Sequence, residues 1–455
     1  MFRKKSILFF VVLLFLTACK TNQKSLDTSG PTTAENALSR YLHNDDQTFD
    51  WEIKEAYDLG PVKAYVVLLT SQKWREHTWV HQLTVLVPNK VSYDGALLFI
   101  TGKGLKNGQP DWRKHDDGLT RTVAAMAQKN EAITTILWQT PNQPLYDGLT
   151  EDALISYTLH NFKADGDFTW PLLFPMVKSA TKAMDAVQAF SQQELKRSVN
   201  RFVVTGASKR GWTTWLTGAS DDRVAAIAPM VIDVLNMPVN LNYQVEVWKE
   251  YSIQIEDYVK LGIVQEMQTG RGPEITRMID PYAYRANLDM PKLIFIGTND
   301  EYWPVDAVKH YFADIPGENY IHYVPNAGHD LGGGEQALRA LSAFFGQTLR
   351  KEKYPVTTWN IRPNGKSASL TVKATSDQLK AAALWWADSQ DRDFRDEQFQ
   401  KKDLDQQDVK RLKTEVEYPA SGYRAFYLDL EYEDPNGGHY TKSTRMFVAD
   451  AERVL

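Results

Sequence analysis

Ser208 stands in Val204-Thr205-Gly206-Ala207-Ser208-Lys209-Arg210-Gly211, where an apolar run of strand formers meets small residues and then a helix-forming stretch. A serine on a sharp strand-to-helix turn needs small neighbours, because the strained backbone presses adjacent residues against the sheet and lifts the hydroxyl to its edge. The usual signature has glycine two residues after the serine; here Arg210 occupies that place and Gly211 follows, a G-x-S-x-x-G variant. A bulky Arg210 there must point outward, toward substrate, or the turn must widen. A serine hydroxyl is a weak nucleophile until a base takes its proton and an acid orients that base. Both partners follow in the order serine, acid, histidine. The apolar run Lys292 to Ile296 delivers Asp300 at its carboxyl end, and a second run, Tyr320 to Val324, leads into Pro325-Asn326-Ala327-Gly328-His329 and the flexible Gly332-Gly333-Gly334. The expected triad is Ser208, His329 and Asp300. Asp233, closing the preceding strand, is the alternative acid, and Glu301 is a weaker one.

An acyl-transfer site also needs N–H donors for the developing oxyanion, one from the residue after the nucleophile and one from the loop after an early central strand. Lys209 supplies the first. Thr101-Gly102-Lys103-Gly104 supplies the second through Gly102 or Lys103. The side chains of Lys209 and Arg210 either add positive charge near the oxyanion, bind an anionic substrate group, or form a solvated helix start. Thr150-Glu151-Asp152 reads as an N-cap followed by first-turn acids more readily than as carboxylates for a substrate amine. His77 and His81 have the spacing of zinc ligands on a helix, but they sit in an alternating strand, which sets them roughly 13 Å apart. No metal is expected there. Gly102-Lys103-Gly104 lacks the Gly-Lys-Ser/Thr of a phosphate loop, so no cofactor is called for.

Alternating elements must position these residues. After β-rich runs at Ala64 to Thr70 and Trp79 to Val87 come a buried strand at Ala96 to Ile100, a helix at Leu119 to Lys129 and a strand at Ile133 to Trp138. Helices within Asp152 to Gln193 and strands at Arg201 to Thr205 and Ala225 to Ile232 follow. A strand at Lys292 to Ile296, a helix at Val305 to Phe312, a strand at Tyr320 to Val324 and a helix at Gln336 to Leu349 complete the pattern. This alternation predicts an α/β class, a mostly parallel doubly wound sheet covered on both faces, with its ligand edge at the carboxyl ends of the strands. The aromatic-rich segment of about 235–288 interrupts it as a cap, within a hydrolase domain spanning 35–352. Short β-like runs separated by Pro-Asn-Gly turns predict a small all-β, sandwich-like domain over 355–455.

The chain has 455 residues, 43% hydrophobic and 24% charged, the composition of a globular protein. Its formal net charge of −5 provides no positive field for a polyanion, which excludes a nucleic-acid partner. Cys19 is the sole cysteine, so no intrachain disulfide and no cysteine-built metal site can form. Its setting explains it: basic Arg3, Lys4 and Lys5, an apolar Ile7 to Leu16, then Leu16-Thr17-Ala18-Cys19. This resembles a bacterial lipoprotein signal, which implies removal of 1–18, lipidation of Cys19 and a flexible tether over 19–34. Lys20, in place of an acidic retention signal, favours the outer membrane facing the periplasm.

Further motifs carry a family resemblance. The Ser208 segment through Trp215, Val231-Ile232-Asp233-Val234-Leu235-Asn236, Thr150-Glu151-Asp152-Ala153-Leu154-Ile155, Asn326-Ala327-Gly328-His329, Trp79 and His81, and Leu384-Trp385-Trp386-Ala387-Asp388-Ser389 resemble the PhoPQ-activated pathogenicity-related protein family. The resemblance runs from about residue 35 to the C-terminus. It implies an exported α/β-hydrolase-like protein linked to envelope stress and antimicrobial-peptide resistance, without an assigned substrate. The loop Gly102-Lys103-Gly104 departs from the adjacent glycine pair associated with that family. Together these readings give an envelope-anchored serine hydrolase acting on a small-molecule or peptide substrate, esterase or deacylase first. An aminopeptidase-like peptidase, or a non-catalytic hydrolase fold used for binding, are the alternatives.

Overall fold

The computed structural model describes residues 30–374, 379–404 and 411–455. The expected signal segment, Cys19 and most of the tether lie outside the described residues. The chain begins with α1 (Ala37–Leu42) and a meander of β1 (Asp50–Leu59), β2 (Val62–Trp74) and β3 (His77–Pro88). Next come β4 (Gly95–Ile100), a small ladder of β5 (Leu105–Lys106) and β6 (Gln109–Pro110), α2 (Gly118–Asn130) and β7 (Ile133–Leu137). Two helices, α3 (Glu151–Asp165) and α4 (Leu173–Glu194), precede β8 (Arg201–Ala207), α5 (Lys209–Ser220) and β9 (Val224–Met230). A helical excursion, α6 (Met237–Trp248), α7 (Glu256–Lys260) and α8 (Gly272–Ile279), then separates β9 from β10 (Lys292–Gly297). It is followed by β11 (Asn319–Val324) and α9 (Glu335–Arg350). The remainder is strand: β12 (Thr357–Asn364), β13 (Ser367–Ala374), β14 (Leu379–Ser389), β15 (Gln400–Asp403), β16 (Arg411–Glu417), β17 (Tyr423–Glu433), β18 (His439–Ser443) and β19 (Phe447–Ala449).

The central sheet runs β1-β2-β3-β7-β4-β8-β9-β10-β11, antiparallel through β3–β7 and parallel from β7 to β11. Parallel strands buried on both faces are mostly apolar, and β4, β7 and β10 are buried at every position, their polar exceptions Thr134, Thr135 and Lys292 each donating to a backbone carbonyl. Each fully buried Leu, Ile or Phe on them contributes about 1.5–3 kcal/mol. One face packs α2 and α9 through Val123, Met126, Leu341 and Phe344; the other packs α4 and α5 through Met184, Val187, Trp212 and Trp215. This is the α/β-hydrolase fold, and it brings the carboxyl ends of β8, β9, β10 and β11 to one edge.

Two expectations are revised. Val305 to Phe312, read as a helix, forms only a 3₁₀ turn at Ala307–His310. The segment is buried continuously from Val305 to Val308 and again at Tyr311, so it does not present the single apolar stripe of a surface α-helix. The all-β region after Pro355 has two layers, with β12-β13-β16 packed through Leu370, Val372 and Leu412 against Leu384, Leu428 and Leu430. It nevertheless does not stand apart from the hydrolase part. β18 pairs antiparallel with β11 at Ile321↔Ser443, so β18, β17, β14 and β15 extend the central sheet. No described helix is long and apolar enough to cross a membrane.

Candidate active site

β8 ends in the turn that carries Ser208, whose backbone sits at φ 59°, ψ −126°. A non-glycine residue there costs roughly 1–3 kcal/mol, strain that surrounding structure must hold in place. The hold is visible. The Ser208 amide donates to the Met230 carbonyl at 2.9 Å, and the Ser208 carbonyl accepts from Trp212 at 2.9 Å as α5 begins. Gly206 is required because a Cβ there would lie 2.8 Å from the Arg210 carbonyl oxygen. Gly211 is the residue that meets β9, where a Cβ would sit 2.8 Å from the Met230 oxygen. The close approach of helix to strand therefore falls three residues after the serine, which accounts for the G-x-S-x-x-G spacing. The first amides of α5, Lys209 among them, lack intrahelical acceptors as at any helix start.

Arg210 does not point toward substrate. It is buried, and its guanidinium lies over Gly102, whose absent Cβ would fall 2.4 Å from Nη2. Nε donates to the Thr140 carbonyl at 2.6 Å, while Nη1 and Nη2 make a bidentate pair with Glu151 at 2.7 and 2.6 Å. Lys209 Nζ lies 2.6 Å from Asp152 Oδ2. Neither cation is a solvated helix start or a free anion-binding group. Glu151 and Asp152 are correspondingly spent on Arg210 and Lys209. Burial pushes the Glu151 carboxyl up, but the Arg210 guanidinium outweighs it and holds the group at about 2. Thr150 makes no side-chain cap; Gln143 does that work, its Oε1 accepting from the Glu151 amide at 2.8 Å. The loop after β4 is fixed to the same assembly, since the Thr101 and Gly102 carbonyls accept from Thr140 and Gln139, both at 3.2 Å. Lys103 is exposed at φ 110°, in the region that favours glycine.

The structure brings Asp300 and His329 together. His329 Nδ1 lies 3.0 Å from Asp300 Oδ2 and 3.2 Å from Oδ1, and His329 Nε2 makes no hydrogen bond. Burial pushes the Asp300 carboxyl up from its ordinary value, and the His329 ring and Tyr302 amide draw it back down. Asp233 is not brought to His329. Both its oxygens lack hydrogen-bond geometry, and burial raises its carboxyl to about 7, offset only in part by Tyr311. Glu301 serves the loop rather than the ring: its Oε2 accepts from the His329 amide at 3.1 Å. His81 is a core residue, with Nε2 on Ser71 Oγ at 3.0 Å and Nδ1 on the Trp138 carbonyl at 2.9 Å. Among the described residues no cluster could hold a metal ion.

Ser208 and His329 line one narrow cavity of about 50 Å³. The paired Lys209 and Asp152 also line it; the other walls are mostly apolar, with Trp212 from α5, Ile232 from just past β9, and Leu241, Ile255, Met267 and Ile279 from the excursion between β9 and β10. Three residues here escape sequence reasoning. Tyr302 stacks on the His329 ring with centroids 4.1 Å apart. Asn299 Nδ2 donates to the Phe394 and Glu397 carbonyls at 2.8 and 2.7 Å. Asn326 exchanges hydrogen bonds with the Phe399 backbone at 3.0 and 2.7 Å. Tyr302 had a signal, an aromatic two residues past the acid; the partners of the asparagines lie too far along the chain to be read.

The sheet order and the strained serine turn make the chain a protein of the α/β-hydrolase fold. It belongs to the PhoPQ-activated pathogenicity-related protein family, whose model matches residues 38–395. That match is shorter than the resemblance read from sequence and stops before β15. Autocrine proliferation repressor protein A of Dictyostelium discoideum is 29% identical over 428 residues, covering 87% of this chain and 85% of that protein. Among solved structures, acetyl xylan esterase 1 from Thermoanaerobacterium sp. JW/SL YS485 is 16% identical, with TM-score 0.47, over 69% of this chain and 93% of that one. An S-formylglutathione hydrolase from Agrobacterium tumefaciens is 10% identical, with TM-score 0.44, over 66% of this chain and 99% of that one.

Proposed function

We propose that the protein is a serine hydrolase that transfers an apolar acyl group from an ester to water. The observation that carries this reading is the Asp300–His329 pair, whose free Nε2 belongs to the same cavity as Ser208 on its strained turn. Nε2 takes the Ser208 proton as Oγ bonds to the carbonyl carbon, and Asp300 keeps the imidazole in the required tautomer and stabilises the imidazolium. The oxyanion is met by the Lys209 amide and by an amide of the loop at Gly102 and Lys103. Nε2 then protonates the departing alkoxide. Water, deprotonated by the same nitrogen, then adds to the acyl carbon, and the imidazolium returns its proton to Ser208 Oγ as that oxygen leaves and the acid departs. Glu151 and Asp152 are neutralised by Arg210 and Lys209, so neither is free to hold a substrate ammonium, which favours an ester over an aminopeptidase substrate.

The test is covalent labelling of the purified protein by a fluorophosphonate, followed by turnover on a panel of acyl esters and aminoacyl amides. Labelling lost in Ser208→Ala and His329→Ala supports the reading. Equal labelling in wild type and Ser208→Ala rejects it. We further propose that Cys19 carries a lipid anchor in the bacterial envelope. Cys19→Ser then shifts the protein out of the membrane fraction, and absence of palmitate-analogue incorporation into wild type rejects the anchor.

A further inference from the structure

The catalytic cavity does not end in thick protein. On its far side lies a surface cleft of about 420 Å³ formed by the excursion between β9 and β10. Met267 lines both. Elsewhere the partition is equally thin: Met237 lines the cavity while its chain neighbours Asn236 and Pro238 line the cleft, and Ile279 lines the cavity while Asp280 lines the cleft. Of these, Met267 is the side chain that itself touches both spaces, and it is buried at 6% exposure. It belongs to the turns between α7 and α8, and its sulfur has Thr276 Oγ1 as a weak donor at 3.8 Å.

We infer that Met267 is the residue that sets the length of the acyl group, closing the cavity behind a short acyl chain and separating it from a cleft that would otherwise receive a long one. This rests on the serine-hydrolase reading of the same site. Three facts support it. Away from Ser208, His329 and the Lys209–Asp152 pair the cavity wall is apolar, so an acyl chain gains by lying along it. The cavity is narrow, at about 50 Å³, and Met267 is part of its wall, so an acyl chain that outgrows it must displace that side chain. Methionine is unbranched, and its removal opens a channel without disturbing hydrogen-bonded backbone. Each methylene that gains a buried place multiplies affinity by roughly four, so chain length is a sensitive readout.

The experiment measures binding of the carboxylate product, which requires no turnover and so stands even if Ser208 is not a nucleophile. Calorimetric titration of acetate, butanoate, hexanoate and decanoate into wild type should show affinity rising to butanoate and falling beyond it. In Met267→Ala the rise should continue to decanoate, with a gain of at least about ten-fold over wild type for decanoate and less than about two-fold for acetate. Met267→Leu, which conserves volume, should keep the wild-type profile. Where the protein hydrolyses esters, kcat/KM across the same chain lengths should move in parallel. Decanoate binding wild type more tightly than butanoate overturns the inference, as does an unchanged profile in Met267→Ala. If Met267→Ala does not fold, the wild-type profile alone decides.

Discussion

The ring of Tyr302 lies on the imidazole of His329 with planes 28° apart, and the amide of the same residue donates to Asp300 Oδ1 at 2.8 Å. One residue therefore braces both His329 and Asp300. Tyr302→Ala should lower kcat by up to about 100-fold with little change in KM, because misplacing a catalytic group by about an ångström costs on that order. Tyr302→Phe, which keeps the stack, should stay within a few-fold of wild type. Equal losses in both variants would assign the effect to the hydroxyl instead.

Asp300 and Asp233 end neighbouring strands but meet different fates. Asp300→Asn should lower kcat about 10⁴-fold on whichever ester is turned over, as loss of an orienting acid does elsewhere. Asp233→Asn should cost less than ten-fold. The check is kcat for both variants with folding followed by thermal melting; a reversed order would move the acid role to Asp233.

Asp233 also predicts a pH dependence of stability. Its folded carboxyl is raised by burial to about 7 from the ordinary 3.8, so between these values the folded state holds a proton that the unfolded state has lost. Stability from this group is complete below about pH 4 and is lost as pH rises to about 7. The melting temperature of Asp233→Asn relative to wild type should accordingly climb from pH 4 to pH 7 and level off above it. A difference independent of pH would show that the carboxyl is not so raised.

Arg210 joins the serine turn to α3 through Glu151. Arg210→Met should destabilise the fold by about 2–3 kcal/mol, somewhat under the loss for a fully buried pair because 35% of the Glu151 side chain remains exposed. Arg210→Met combined with Glu151→Leu should recover part of that, giving a coupling energy above about 1 kcal/mol in urea unfolding. Strict additivity would show that the pair is not energetically linked.

The parallel strands were legible because burial on both faces leaves long apolar runs, as in Lys292 to Ile296, and because the turn at Ser208 needs its small residues. The Asp300–His329 contact and the turn at Ser208 could be anticipated since each of these residues follows such a run. The destination of Arg210 could not, because its partner Glu151 is 59 positions away and the pairing exists only once α3 meets α5. The junction at β18 was hidden for a different reason. His-Tyr-Thr-Lys-Ser is a short polar strand, held to β11 by backbone pairing at Ser443 and by the His322 ring on the Thr441 carbonyl at 2.5 Å, so no apolar alternation announced it.

Asn299 precedes Asp300, Asn326 stands three residues before His329, and both are tied to the backbone of 394–399. That segment is a splint laid across the two loops that carry Asp300 and His329. In the terms of inheritance, the strands that follow α9 are not cargo that a hydrolase could trade for another module. Exchanging them would loosen the loops of Asp300 and His329 in one stroke and uncover the outer edge of β11.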